Sequence, residues 1–362
     1  MTRKTMEETI PLQTPVFLLA PMDGMTRASF RSVCFDYGAD GATTEMIQSL
    51  AYGRAKRPMS PTFQEVLARF PDERNLAAQL IGSNPAAMAE SARRLEALER
   101  FDAVDINMGC PARKVVGSGN GAALLKSPEQ AVAVMAAVKA ATSLPVRLKL
   151  RLGWDAAHIT APFLVRQAEA LGFQSVTLHG RTREQMYLGP VDTPAIRAVC
   201  DAVRIPVYAN GGVTCASDAL AFLRDTHAAG IAIGRAALKA PWIFEDIATL
   251  RRGGTVVSRR APERVALLIR LATLTCRHRP EGVAICEMRR FSGWMLTGLA
   301  GYDAVLTRLN AVVTLDDFRA LLEGYLDDLE KHDDLEIHPE LLPKPTLDTV
   351  THRQARRMAK WM

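Results

Sequence analysis

From residue 15 to about residue 235, short runs of β-branched and aliphatic residues alternate with longer stretches whose apolar positions recur every three or four residues. A short apolar run is the length of a buried strand, and the wider spacing is that of a helix packed by one face. The alternation therefore predicts repeated βα units around a parallel sheet. The predicted strands fall at 16–20, 41–45, 76–81, 103–107, 146–150, 175–179, 206–210 and 230–233. Eight such units close a (β/α)8 TIM barrel, which takes ~250 residues. An open doubly wound sheet would carry a G-x-G-x-x-G turn after its first strand. The sequence there reads Ala20-Pro21-Met22-Asp23 instead.

After Trp242 the alternation gives way to helical periodicity alone, at 262–279, 284–300 and 314–331. The paired glycines of Arg251-Arg252-Gly253-Gly254 interrupt helical pattern and mark a linker. The expected architecture is thus α/β, with a barrel over 1–248 and an all-helical domain over 249–362.

Composition narrows the classes. With 48% hydrophobic and 23% charged residues, the chain can bury a large core and is no disordered protein. No apolar run reaches the ~18 residues of a membrane span, and the first residues lack the apolar core of a secretory signal, so a cytoplasmic protein away from membranes is expected. Six cysteines show no C-x-x-C pair and no metal-ligand spacing, so neither a disulfide framework nor a metal is expected. The net charge is +6, and 251–290 holds ten Lys and Arg against three acids, a local net of +7, while 316–340 is acidic. A charge run alone is more often a solvated helix face than a ligand site, so nucleic acid becomes a partner only if the chemistry calls for one.

That chemistry is sought at the C-terminal ends of the strands, where this fold places its active site. Polar residues stand there in otherwise apolar surroundings: Gln79 on the third strand, Asn107 leading into Gly109-Cys110-Pro111 after the fourth, Lys149 and Arg151 on the fifth, His179 on the sixth. Buried polar groups are costly without partners, so Gln79, Lys149 and His179 ask for a polar ligand, although Lys149 and His179 could instead satisfy each other. The turns Asn210-Gly211-Gly212 and Gly234-Arg235 follow the seventh and eighth strands, the usual phosphate site of this fold. A phosphorylated planar cofactor fits, and FMN fits better than a dinucleotide because no second nucleotide cradle is visible. A lone cysteine is usually a small buried hydrophobe, yet Cys110 sits in a glycine-rich loop past a strand end, where a catalytic loop belongs.

Several stretches are distinctive together: Leu19-Ala20-Pro21-Met22, Asn107-Met108-Gly109-Cys110-Pro111, Gly121-Ala122-Ala123-Leu124-Leu125, Leu148-Lys149-Leu150-Arg151-Leu152-Gly153-Trp154, His179-Gly180-Arg181-Thr182-Arg183, Asn210-Gly211 and Gly234-Arg235-Ala236-Ala237. In this order they resemble the tRNA-dihydrouridine synthase family, its bacterial branch in particular, across the whole barrel and more loosely in the helical tail. The resemblance implies FMN held by Pro21, Met22, Asp23, Gln79, Lys149, His179, Asn210, Gly211, Gly212, Gly234 and Arg235, with NADPH as reductant. Cys110 is the expected catalytic acid, Asn107, Arg151, Arg113 and Lys114 are expected to bind substrate, and the expected partner is tRNA, met by a monomer. Asp23 and Arg27 stand where the family more often has a small residue and an acid, and Gly212 replaces a common acid.

The expected reaction is hydride transfer from reduced flavin to C6 of a uracil ring with protonation of C5 by Cys110. Two rivals are a flavin barrel acting on a free pyrimidine or enone, and an RNA-binding module without turnover. RNA is expected to be held chiefly through its phosphates by the helical segment, with Arg277, Arg279, Arg289 and Arg290 among the contacts, and failing that on the rim at Arg113 and Lys114 or on the basic end at Arg353, Arg356, Arg357 and Lys360.

Overall fold

The computed structural model describes residues 14–56, 59–338 and 341–342, so the basic end at Arg353, Arg356, Arg357 and Lys360 lies outside the described residues. Eight parallel strands form a closed barrel in sequence order: β1 Val16–Leu19, β2 Gly41–Gln48, β3 Leu76–Ile81, β4 Ala103–Met108, β5 Val146–Arg151, β6 Ser175–His179, β7 Val207–Asn210 and β8 Gly230–Ile233. The seam closes by pairing Val16 with Gly230, and a Cβ on Gly230 would lie 2.0 Å from the Val16 carbonyl oxygen, so only glycine lets the two strands meet. All eight expected strands are present. The largest difference is β2, which runs to Gln48 because its pairing with β3 is irregular between Thr43 and Met46. Such an irregularity inserts extra residues and re-aims side chains, here Thr44 and Glu45.

Beyond the barrel the chain is helical: Ala261–Cys276, Glu281–Met295, Tyr302–Leu309 and Leu315–Lys331. The expected helix at 284–300 begins earlier and stops at Met295, because Gly298 takes a φ of 93° that a right-handed helix cannot continue through. The helix Tyr302–Leu309 was not expected, since eight residues are too few to establish a period. The chain between Arg252 and Arg260 is irregular, with Gly253 at φ 76°, as the paired glycines predict.

The apolar core continues without a break from the barrel into these helices, through Phe30, Val33, Leu268, Leu271, Met288 and Phe291. Phe30 stacks on Phe291 at 5.3 Å between ring centroids, and the Thr275 hydroxyl donates to Ser29 Oγ at 3.0 Å. Each fully buried side chain of this size contributes about 1.5–3 kcal/mol, so the helical segment is fastened by packing. Among the described residues no helix is long and apolar enough to cross a membrane.

Candidate active site at the barrel mouth

The polar residues of β3 and β4 form one chain of hydrogen bonds ending at Cys110. Asp105 Oδ2 accepts from Gln79 Nε2 at 2.6 Å, Gln79 Oε1 accepts from Asn107 Nδ2 at 2.8 Å, and Asn107 Oδ1 accepts from the backbone N–H groups of Gly109 and Cys110 at 3.0 and 2.9 Å. The direction of the chain follows from its origin: an ionised carboxylate can only accept, which turns both amides the same way and leaves an oxygen for the Cys110 loop. Burial pushes the Asp105 carboxyl up to about 6, opposed by the Gln79 hydrogen bond and the Lys149 charge. Burial also raises the Cys110 thiol above its ordinary range, so it carries its proton at neutral pH. The loop folds back on itself at Gly121, where φ is 58° and a Cβ would come within 2.9 Å of the Cys110 carbonyl oxygen.

On β5, Lys149 Nζ donates to Asn210 Oδ1 at 3.1 Å, and Asn210 Nδ2 donates to the Ala232 carbonyl at 2.7 Å, tying three strand ends together. Burial and then the neighbouring Arg151 push the Lys149 ammonium down to about 8. Arg151 is only 2% exposed, and its guanidinium donates to the carbonyls of Gly109, Thr182 and Met186. It thereby clamps the Cys110 loop to the loop after β6.

The far side of the mouth is rich in donors with too few acceptors. His179 is buried with an Nδ1 that has no partner, and Arg181, which donates from Nε and Nη2 to the Gly189 carbonyl, leaves its buried Nη1 free. Burial first, then Arg151, Lys149, Arg181 and Arg235, hold the His179 imidazole well below its usual range, so it is neutral. Arg151 and Arg235 lie over the Tyr187 ring at 5.1 and 5.3 Å, and that ring meets His179 edge-on. Gly211 and Gly212 have φ of 112° and 78°, and a Cβ on Gly211 would stand 3.2 Å from the His179 ring. Backbone here approaches the mouth as only glycine can.

The structure brings Gln79, Asn107, Cys110, Lys149, Arg151, His179 and Asn210 into one constellation, with Gly211, Gly212, Gly234 and Arg235 beside it. The alternative in which Lys149 and His179 satisfy each other is not seen, since Lys149 bonds to Asn210 instead. Pro21, Met22 and Asp23 form the loop after β1, held by a bond from the Met22 N–H to Thr26 Oγ1. A fully buried Arg31–Glu73 ion pair supports that loop, with Arg31 donating to the Thr26 carbonyl. Arg113 and Lys114 are exposed on the short helix after Cys110, outside the constellation. Three residues, Asp105, Glu45 and Tyr187, escaped the sequence reading, and Arg181 was noted only within its stretch, with no role. Asp105 could have been found, as an acid inside an apolar strand, and so could a role for Arg181, next to His179. Glu45, 4% exposed with one carboxyl oxygen unpartnered and pushed up to about 7 by burial, lies in the β2 irregularity. Tyr187 sits in a loop whose sequence has no period to read.

The basic segment proves largely self-satisfied. Arg259 pairs with Glu245, Asp246 and Glu263, Arg260 with Glu336, Arg270 with Asp36, and Arg279 with Glu65 and Glu287. Arg264 donates to the carbonyls of Arg259 and Met295, and Arg289 to that of Val312. Among the described residues only Arg260 draws its partner from the acidic stretch 316–340. Arg252 and Arg277 are exposed and make no ion pair among the described residues.

Residues 18–330 match the model of the dihydrouridine synthase family. A probable tRNA-dihydrouridine synthase of Rhodobacter capsulatus is 42% identical over 242 residues, covering 67% of this chain and 73% of the relative. A second, of Rhizobium leguminosarum bv. phaseoli, is 37% identical over 325 residues, covering 86% of this chain and 97% of the relative. Among solved structures, histamine dehydrogenase from Rhizobium sp. 4-9 aligns with a TM-score of 0.50 at 13% identity, over 73% of this chain and 49% of that one, a likeness of fold alone.

Proposed function

The chain belongs to the dihydrouridine synthase family, and on that premise we propose that it reduces uridine in tRNA to 5,6-dihydrouridine, using FMN, NADPH as reductant and Cys110 as proton donor. The observation that carries the reading is the asymmetry of the mouth: a thiol held protonated on one side, and on the other a neutral histidine, orphaned donors and side-chain-free backbone.

The residues present fit FMN. Gly211, Gly212, Gly234 and Arg235 suit the phosphate, because unhindered backbone and an exposed guanidinium without a carboxylate partner can both reach an anion. Pro21, Met22, Asp23, Gln79, Lys149, His179 and Asn210 border the space for the ring system. A bound flavin supplies the hydride for C6 of the uracil ring. Cys110 holds the proton for C5, and a partly buried thiol with a raised pKa serves because it remains undissociated until the transition state draws on it. Asn107 keeps the Cys110 loop in register through its two backbone contacts, and Arg151 holds the same loop from the opposite side, so both shape the place where the base enters. A base within folded RNA must be extruded to reach this depth, which costs a few kcal/mol, offset by phosphate contacts. Arg113 and Lys114 meet phosphates at the rim. The helical segment after the barrel adds RNA contacts from exposed cations that pair with no carboxylate among the described residues, such as Arg252 and Arg277.

The purified protein should release FMN on denaturation, and its NADPH oxidation should rise when unmodified tRNA is added but not with free uridine. A colourless folded protein that cannot be reconstituted with FMN contradicts the cofactor, and stimulation by free pyrimidine alone contradicts the substrate.

A further inference from the structure

Three successive loops at the barrel mouth place two cations on one indole. Lys126 ends the 3-10 turn Gly121–Lys126, Trp154 follows β5, and Arg183 follows β6. Lys126 Nζ stands 4.4 Å from the centroid of the Trp154 ring and Arg183 Cζ stands 4.7 Å from it, so the two charges are held no more than about 9 Å apart. Among the described residues neither side chain makes an ion pair or hydrogen bond, and Arg183 Nε is buried with no partner. The nearby carboxylate of Asp155 is spent within its own loop, accepting from the N–H groups of Ala157 and His158 and contacting His158 Nδ1.

The arrangement is preorganised. The Arg183 N–H donates to the Gly153 carbonyl at 2.9 Å, the Glu184 N–H to the Trp154 carbonyl at 3.0 Å, and the Trp154 N–H to the His158 carbonyl at 3.0 Å. The turn that ends at Lys126 begins beside Cys110, whose carbonyl accepts from the Ala122 N–H at 3.1 Å. Two like charges held within about 9 Å of each other repel, and an anion that contacts both converts that repulsion into two attractions. A phosphodiester matches: its one negative charge is shared by two non-bridging oxygens, one for the guanidinium fork and one for the ammonium. Resting on the tRNA reading above, we propose that Lys126 and Arg183, held on Trp154, clamp one backbone phosphate of the RNA strand that carries the reduced uridine.

The test uses the full-length, flavin-loaded protein and fluorescence anisotropy with labelled tRNA at several salt concentrations. The double variant Lys126→Gln, Arg183→Gln should raise Kd about tenfold, the size of one lost charge-assisted contact. It should also lower the slope of log Kd against log salt by ~0.7–0.9, the share of one neutralised phosphate. Trp154→Phe, which keeps an aromatic face of weaker attraction for cations, should show a smaller loss. Should the double variant fail to fold, Lys126→Glu alone, at an exposed position, should weaken binding more than Lys126→Gln does. Wild-type affinity and slope in a folded variant overturn the clamp, and a lowered melting temperature beside unchanged affinity means the cations only fasten the loops. If the wild-type protein neither binds nor reduces tRNA, the functional reading falls and the clamp with it. If it does both and the variants match it, the clamp alone falls.

Discussion

Arg279, in the helical segment, lies between Glu65 and Glu287, whereas Arg183, at the barrel mouth, has an indole beneath it and a buried Nε with no partner. The contrast holds for the regions around them. Residues 251–290 carry ten Lys and Arg against three acids, yet Arg259, Arg260, Arg270 and Arg279 are neutralised by carboxylates. Around the mouth, Lys126, Lys149, Arg151, Arg181, Arg183 and Arg235 have no carboxylate within ion-pair distance among the described residues. Density of charge therefore says little about where an anion docks. Availability says more, since a cation already paired gains almost nothing from a second anion, while an unpaired one held in place gains the full interaction.

The largest effect that tests this division is on chemistry. Cys110→Ala should slow uridine reduction ~10² to 10⁴-fold, the typical worth of a general acid, while leaving flavin content and NADPH-driven flavin reduction intact. Rapid-mixing measurement of the two half-reactions checks it, and equal loss in both would move Cys110 from chemistry to architecture. Next in size, Arg235→Ala should weaken flavin retention on the order of tenfold to a hundredfold, as loss of a charge-assisted contact to phosphate. Titration of the apoprotein with FMN reads this directly.

In the helical segment the same substitution should act on stability. Arg279→Ala leaves Glu65 and Glu287, each 15% exposed, with Arg27 as their remaining cation, which should cost about 1 kcal/mol and lower the melting temperature by a few degrees, with tRNA affinity unchanged. Arg277→Ala should do the reverse: unchanged melting, and a Kd for tRNA raised about threefold at moderate salt, as one exposed phosphate contact is worth. If Arg279 proves the RNA contact and Arg277 the structural one, the division drawn here is wrong. The smallest effect concerns pH. Burial raises the Cys110 thiol, countered chiefly by the Ala112 N–H, and the reaction needs that thiol protonated. The loss of turnover that belongs to the thiol should come at a higher pH than an ordinary cysteine would give. Stability shifts the same way: a raised folded-state pKa contributes below the unfolded value and is lost as pH rises through the folded one. The alkaline fall in melting temperature should therefore be shallower in Cys110→Ala.

The barrel was legible because its signal is periodic and repeated. Each strand is an apolar run between amphipathic helices, and β8 with its Gly230 reads as clearly as β3. The site was half legible. Gln79, Lys149 and His179 stand out as polar residues among apolar ones, but the sequence could not say that Gln79 is turned by Asp105 or that Arg151 is consumed by three carbonyls. Those facts depend on which side chains meet across strands 26 to 42 residues apart. The basic segment misled for the same reason: Arg279 and Glu65 are 214 residues apart, and no local count of charge reveals their pairing.

The central claim is tested most directly by incubating the protein with NADPH and a tRNA transcript free of modification, then digesting the RNA and reading nucleoside masses. The account predicts that a uridine gains two hydrogens, with a matching loss of NADPH, and that the gain vanishes or is greatly slowed with Cys110→Ala. Oxidation of NADPH by a flavin-loaded protein that leaves every uridine unchanged would contradict it.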